Sequence, residues 1–223
     1  MTTTPLPQVL ALVDDAALAR RVLEMSSAIA RQLQRPLEVV YVESAPALLA
    51  ASLPFAQVLA HGGAQWLPLA PQDVERGYRV QEARLREMAE RITLRHTIHW
   101  SMRVMRGVLP EAALELRTQS DLMFVDSAAG TPSTAPYGGS RTQARGRPAI
   151  TAVVDGSAAG QQAQRVAQQV AQALGGVLNL RRAEAGSLAA MAGASRCDLL
   201  VLPRSLAGAG ILAKLAQPAL LVG

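Results

Sequence analysis

The chain has 223 residues, 50% of them hydrophobic, so it can bury a sizeable core in one or two domains. Only 3% of the residues are aromatic, so Leu, Val, Ala and Ile must build that core. The net charge is +5, but the arginines are spread along the chain instead of forming one run, which disfavours nucleic acid as a partner. A single cysteine excludes a disulfide framework, and no segment has the pattern of a signal peptide or membrane span. We therefore expect a cytoplasmic protein with no membrane partner.

The chain contains one strand–helix–strand pattern twice. Residues 8–43 and 149–184 each begin with an apolar run that ends in an aspartate, Asp14 or Asp155. Each then continues with a helical pattern and closes with a second apolar run. A βαβ unit implies parallel strands and has one favoured handedness. The duplication therefore predicts two related parallel arrangements.

Hydrophobic periodicity and turn residues predict the helices and strands of the first half. In chain order they are strand 9–13, helix 16–34, strand 37–42, an irregular insertion 44–71 with a short helix around 45–60, helix 72–95, strand 100–105, helix 110–118 and strand 121–125. We expect Asp15 to be the N-cap of the first helix and Pro36 to end it. Residues 126–148 are rich in Gly, Ser, Thr and Pro, which marks a loop and a domain boundary.

The same patterns predict fewer helices and strands in the second half, which lacks the long helix and the following strand of the first half. It comprises strand 149–154, helix 158–174, strand 176–182, helix 186–195, strand 197–202, helix 206–216 and strand 218–222. The alternation indicates the α/β class, with doubly wound parallel sheets. We expect two lobes, 1–147 and 148–223, with strand 149–154 belonging to both and each lobe lying close to the other.

Several short motifs resemble the universal stress protein family. The first copy has Gly107 followed by a helix that begins near Pro110, and the second opens with Asp155-Gly156-Ser157. The strands add Asp121-Leu122-Met123-Phe124-Val125, Cys197-Asp198-Leu199-Leu200-Val201 and Gln217-Pro218-Ala219-Leu220-Leu221-Val222. The order and spacing of these motifs resemble a tandem pair with a degenerate second copy, over nearly the whole chain.

The resemblance implies a Rossmann-like fold of the adenine nucleotide alpha hydrolase type, with strand order 3-2-1-4-5 and dimer-like pairing of domains. It implies a non-enzymatic stress-response protein with a regulatory or scaffold role, whose partner is a second copy or another protein. Some family members bind ATP and others do not. Two alternatives remain open: a ligand-free interaction module, and a nucleotide-dependent hydrolase of the related superfamily, which requires an intact phosphate loop and a nearby base.

The resemblance also implies a site for ATP or AMP in the first lobe. Asp14 would face the adenosine, backbone at Val42 would contact the base, and Gly107 would leave room beside the pocket. The phosphates would be surrounded by Ser127, Gly130, Gly139 and Ser140. Glycines let backbone approach a phosphate closely, and backbone N–H groups bind the anion. The chain departs from the family because Ser127 replaces the first glycine and the next gap is one residue short, so we expect weakened binding.

Other candidate sites have weaker support in the sequence. Gly208 and Gly210 imitate a dinucleotide fingerprint, but no acidic residue follows at the required distance, so a tight turn is favoured. His96 and His99 lack neighbouring ligands to complete a metal shell, so we expect no metal. The apolar insertion 45–69 exceeds what one covered helix needs. It can pack on the second copy, form a subunit contact or close over a ligand.

Overall fold

The computed structural model describes residues 8–59, 65–126, 147–183, 187–193 and 197–223. Its first half contains β1 (Val9–Val13), α1 (Ala19–Gln32), β2 (Leu37–Ser44), α2 (Ala45–Ala51), β3 (Gln57–Leu59), β4 (Trp66–Pro68), α3 (Pro71–His96), β5 (Trp100–Gly107), α4 (Leu109–Glu115) and β6 (Leu122–Asp126). The second half contains β7 (Ala149–Val154), α5 (Ala158–Leu174), β8 (Val177–Arg182), α6 (Ser187–Gly193), β9 (Leu199–Pro203), α7 (Ala209–Leu212) and β10 (Ala219–Val222).

Eight of these strands form one sheet in the order β5-β2-β1-β6-β10-β9-β7-β8. Neighbouring strands are parallel throughout, except that β6 and β10 are antiparallel. We call β5-β2-β1-β6 the first half-sheet and β10-β9-β7-β8 the second half-sheet. The strands of the two half-sheets therefore point in opposite directions, and the predicted α/β class with a mostly parallel sheet is confirmed.

Helices cover both faces of the sheet, which confirms the doubly wound arrangement. One core contains Val22 of α1, Leu85 of α3 and Ala163 of α5, and the opposite core contains Ala112 of α4 and Leu212 of α7. Strands covered on both faces have continuous apolar sequences, and all residues of β1, β9 and β10 are buried. None of the described helices is both long enough and apolar enough to cross a membrane.

The prediction that strand 149–154 belongs to both lobes is wrong. This segment is β7, which pairs with β8 and β9 and is separated from β6 by two strands. The position beside β6 is occupied by β10, with Leu220 opposite Phe124. β10 fits this position because all four of its side chains are apolar and become buried on both faces.

The insertion contains a shorter helix than predicted. The helix α2 ends at Ala51, and β3 and β4 then form an antiparallel hairpin in place of a helix that reaches residue 60. The N–H of Ser52 closes the last turn on the carbonyls of Leu48 and Leu49. Pro54 follows, and it cannot continue a helix because it has no N–H group to donate.

The predicted helix 206–216 is also largely replaced by turns. A 3₁₀ turn covers Arg204–Leu206, and α7 contains only four residues. The two glycines of this segment explain the difference, because glycine is among the least favourable residues for a helix interior. Gly208 is the N-cap of α7 and Gly210 lies within it.

Candidate functional site

The strongest candidate site lies at the carboxyl edge of the first half-sheet. The chain proceeds from β1 to β2 and β5 on one side and later places β6 on the other side of β1. The point where the strand order reverses is therefore between β1 and β6, and open α/β sheets bind ligands at such a point, outside the carboxyl ends of the strands. Asp14 follows β1 here, and the chain leaves β6 here at Asp126 towards the Gly- and Arg-containing segment 127–146.

Three of the predicted site residues are brought to this edge by the strand register. Val13 lies opposite both Tyr41 and Asp126, so Asp14 continues the row that contains Val42. Gly107 ends β5 opposite Ser44, two residues further along β2. A Cβ added at Gly107 would meet no atom within 4 Å, so the space there is open. The other four predicted residues, Ser127, Gly130, Gly139 and Ser140, lie outside the described residues.

Asp15, the residue after Asp14, belongs to the turn that precedes α1. The carboxylate of Asp15 accepts a hydrogen bond from the Ala17 N–H at 2.7 Å. Its carbonyl oxygen accepts hydrogen bonds from Leu18 and Ala19. The helix α1 begins after these bonds, at Ala19, with Leu18 as an N-cap that makes no side-chain bond. The prediction that Asp15 is the N-cap is therefore wrong: Asp15 closes the turn before the helix.

An ion-pair network that the sequence did not reveal lies beside Gly107. The Arg106 guanidinium contacts the Glu43 carboxylate at 3.1 Å and the Glu75 carboxylate at 3.7 Å. The Glu43 side chain is largely buried, and Glu43 lies opposite Arg106 in the register of β2 and β5. The pairing of β2 with β5 brings Glu43 to Arg106, and the position of α3 brings Glu75 to Arg106, so no local motif could have shown these contacts. The Glu75 carboxylate also lies 3.8 Å from the Arg79 guanidinium, so two carboxylates and two guanidinium groups balance one another here.

Tyr41 and Tyr78 pack together in the core near the end of β2. Their rings meet edge to face, with centroids 6.4 Å apart, and the Tyr78 hydroxyl donates to the Ser44 carbonyl at 3.1 Å. The Tyr41 hydroxyl is buried and has no hydrogen-bond partner among the described residues. Burial raises the pKa of the Tyr41 phenol far above its ordinary value, and the neighbouring Tyr78 raises it further. Tyr41 therefore keeps its proton and cannot act as a base at neutral pH.

A cavity of about 700 Å³ flanks this edge, between the turn before α1 and the helix α3. Asp15 and Ala16 line one side, and the other side includes Arg84 of α3. The Ala16 N–H donates to the Gln81 side chain at 3.2 Å, which holds the turn against α3.

Asp155, which follows β7 as Asp14 follows β1, is hydrogen-bonded within its own turn. The Asp155 carboxylate accepts hydrogen bonds from the Ser157 N–H at 3.0 Å and the Ser157 hydroxyl at 2.6 Å. These bonds lower the pKa of Asp155. The Ser157 hydroxyl oxygen in turn accepts the Gly160 N–H at the start of α5. Asp155 therefore resembles Asp15, because each carboxylate accepts the backbone N–H two residues later. The carboxyl ends of the second half-sheet also lie at the opposite edge of the sheet.

Among the described residues, no group of three or more His, Cys, Asp and Glu side chains is placed to hold a metal ion. The Nδ1 atom of His96 is buried and has no hydrogen-bond partner within the described ranges.

Comparisons with known proteins add a structural likeness only. No protein-family model and no curated protein sequence matches the chain. Among solved structures, the chain is similar to a universal stress protein from Archaeoglobus fulgidus, at 7% sequence identity over 95% of each chain and with a TM-score of 0.43. A likeness of this degree does not establish a family or a function, so the α/β fold class is assigned from the sheet and helices of this chain.

Proposed function

We propose that this chain is a non-enzymatic, cytoplasmic stress-response protein with a regulatory or scaffold role, which binds an adenine nucleotide in its first lobe. The observation that supports this proposal is that Asp14, Val42 and Asp126 lie at the same edge of the sheet, at the strand-order reversal between β1 and β6. We also propose the lobes 1–147 and 148–223 as the two units of the duplication.

The described residues fit the adenosine part of such a ligand. The Asp14 carboxylate can accept hydrogen bonds from ribose hydroxyls or the adenine amino group, and the backbone of Val42 can contact the base. The open space beside Gly107 leaves room on the β5 side. The Arg106 guanidinium on that side is already paired with Glu43 and Glu75, so its charge is not free to bind phosphates. We therefore propose that the phosphates lie on the β6 side, near Ser127, Gly130, Gly139 and Ser140.

Isothermal calorimetry with ATP and with AMP tests this proposal, together with an assay for released phosphate. We expect heat of binding and no turnover. Asp14→Asn removes a charge-assisted acceptor worth about 1.5–3 kcal/mol, so it should weaken binding by roughly 10- to 100-fold. Asp155→Asn is the matched control in the second half-sheet and should leave the affinity unchanged. Far-UV circular dichroism establishes that both variants are folded.

A glycine pair separates the two lobes as possible sites. Gly130→Val should abolish binding, because a β-branched side chain restricts the backbone and blocks close approach to a phosphate. Gly208→Val should have no effect on affinity. If Gly208→Val abolishes binding while Gly130→Val does not, the site belongs to the second half and this assignment is wrong.

A ligand-free interaction module is the second candidate function. It is favoured by the ion pairs of Arg106 with Glu43 and Glu75, which already satisfy the charged groups on the β5 side of the edge. The absence of any heat with nucleotide at millimolar concentration would favour this second function. Release of phosphate would favour the hydrolase.

A further inference from the structure

The segment formed by α2, β3 and β4, which we call the apolar arm, exposes large side chains instead of packing on the second half-sheet. Phe55 is 75% exposed, Leu49 69% and Trp66 62%. Four further apolar side chains of the arm are also exposed: Leu53, Val58, Leu59 and Leu67. Of the three alternatives for this insertion, packing on the second lobe of the same chain therefore does not apply to these residues.

The hairpin of the arm is held mainly by its own backbone. Val58 pairs with Leu67 and Leu59 with Trp66, and the Leu69 N–H donates to the Ala56 carbonyl at 3.0 Å. The helix α2 anchors the arm by packing against α3 and β5. An isolated two-stranded hairpin is at best marginally stable in water. The two strands have three residues each and all six residues are exposed, so the hairpin gains stability if another surface covers it.

The composition of the arm is unusual for an exposed surface. Residues 44–72 contain no Asp, Glu, Lys or Arg. A fully exposed aromatic side chain presents roughly 150–250 Å², so the seven exposed side chains together present on the order of 700 Å² of apolar surface. The largest patch on a typical monomer is about 300–600 Å², whereas each partner in a standard interface contributes about 800 Å². The arm is thus close to the size of one side of a stable interface.

A second copy of this chain is the partner that these properties fit best. Each copy has a net charge of +5, so two copies repel one another over most of their surface. The arm brings no charge into a contact, and therefore no charge has to be desolvated or matched. A two-fold interface presents the same patch on both sides, and an uncharged apolar patch is complementary to itself. The open edges of two hairpins can also pair.

A lipid surface fits less well. Membrane-binding apolar segments usually combine Trp, Phe and Leu with Lys or Arg that attract anionic headgroups. The nearest Lys or Arg residues along the chain are Arg35 and Arg76, which lie well outside the arm. The arm therefore lacks the electrostatic part of membrane recognition.

We propose that two copies of the chain associate through their apolar arms, with Phe55 and Trp66 at the centre of a two-fold interface. This inference goes beyond the proposed function and does not depend on nucleotide binding. Sedimentation velocity from about 1 µM to about 100 µM measures the association directly. We expect a dimer that dissociates on dilution, with the same dissociation constant in the presence and absence of ATP.

The variant Phe55→Ser/Trp66→Ser removes the two central aromatic anchors and should raise the dissociation constant roughly 100-fold or more. Leu94→Ser is the matched control, because Leu94 is 71% exposed on α3, outside the arm. This control should dimerise like the unmodified chain. A chain that stays monomeric at all concentrations overturns the proposal, as does a double variant that still dimerises or arm-dependent binding to phosphatidylcholine vesicles.

Fluorescence gives a second measurement that does not need the double variant to fold. The chain has two tryptophans, so Trp100→Phe leaves Trp66 as the only source of tryptophan emission. Dilution of this variant should shift the emission to longer wavelength over the same concentration range in which the dimer dissociates. An emission maximum that stays constant while the dimer dissociates would place the interface elsewhere.

Discussion

Arg204 connects the second half-sheet to the first. It follows β9, and its guanidinium donates to the backbone carbonyls of Arg117 and Ser120 in the first half. Gly223 leaves room for this side chain, because a Cβ at that position would clash with the guanidinium. Burial lowers the pKa of Arg204. The hydrogen bonds to the two carbonyl oxygens therefore stabilise the charged guanidinium in this partly buried position.

Replacing Arg204 should destabilise the fold. Arg204→Met keeps much of the aliphatic volume but leaves two carbonyl groups without their charged donor, which should lower the free energy of unfolding by about 2–3 kcal/mol. Urea denaturation measures the change. Arg117→Met is the matched control, since Arg117 contributes its backbone carbonyl and not its side chain to this contact. Equal effects of the two substitutions would show that the Arg204 side-chain bonds contribute little.

Cys197 should react slowly with alkylating agents. Burial raises the pKa of its thiol, and the carboxylate of Asp198 raises it further, against the opposing effect of a hydrogen bond with Thr151 and of Arg21. The rate of alkylation by iodoacetamide should therefore increase with pH around a midpoint above the ordinary value of about 8.5. Because the folded state holds this proton more tightly, the contribution to stability is complete below the unfolded pKa and is lost as pH rises through the folded pKa. A midpoint at or below that of glutathione would contradict this.

At the scale of single elements, the two helices that follow the repeated strands begin differently. α5 has a serine N-cap, with the Ser157 hydroxyl 3.0 Å from the Gly160 N–H, and ends at Gly175 with a φ of 60°. α1 has no side-chain cap. The start of α5 therefore depends on a single hydroxyl, whereas the start of α1 depends on the backbone turn closed by Asp15.

The substitution Ser157→Ala should lower the free energy of unfolding by about 1 kcal/mol, the usual cost of losing a serine N-cap. It should also raise the pKa of Asp155 towards the ordinary value, since both hydrogen bonds from Ser157 lower it and one of them is lost. Urea denaturation and a carboxyl NMR titration measure the two effects. The exposed Ser205 provides a control, and Ser205→Ala should change neither quantity.

Elements with strong periodicity could be predicted from the sequence almost to the residue. β7 and α5 have the predicted bounds, and α3 differs by one residue at each end. The hairpin of β3 and β4 could not be predicted, because three-residue strands are too short to show an alternating pattern. The ion pair of Glu43 and Arg106 depends on a register between strands that are far apart in sequence. Asp14 and Val42 could be placed at the edge because Asp14 follows one strongly apolar segment of the sequence and Val42 ends another.

At the scale of the whole molecule, the antiparallel junction of β6 and β10 joins the two half-sheets into one sheet. Side-chain contacts in the described parts of the chain also cross between the halves, including the Arg204 bonds already described and an ion pair between Arg21 of α1 and Asp198 before β9. The Asp198 carboxylate also accepts the Ala149 N–H at 2.6 Å, which fixes the start of β7. The duplicated sequence therefore forms a continuous core instead of two independent ones.

Thermal unfolding should accordingly occur in one cooperative transition. In scanning calorimetry we expect a calorimetric enthalpy equal to the van't Hoff enthalpy, because neither half-sheet buries its junction strand alone. The buried residues Leu220 and Phe124 lie opposite one another at this junction. Two resolved transitions would contradict the prediction and would show that the half-sheets are independent folding units.

The antiparallel junction also determines where the ends of the described chain emerge. Val9, Leu122 and Val222 lie in one row across β1, β6 and β10, so the ends are separated by two strand spacings, or about 10 Å. A linker of roughly four Gly and Ser residues spans that distance. A circular permutant that joins Gly223 to Gln8 and opens between Asp126 and Arg147 should therefore retain the native circular dichroism spectrum and unfold cooperatively. Because the cut interrupts the proposed phosphate segment, the same permutant should lose nucleotide binding.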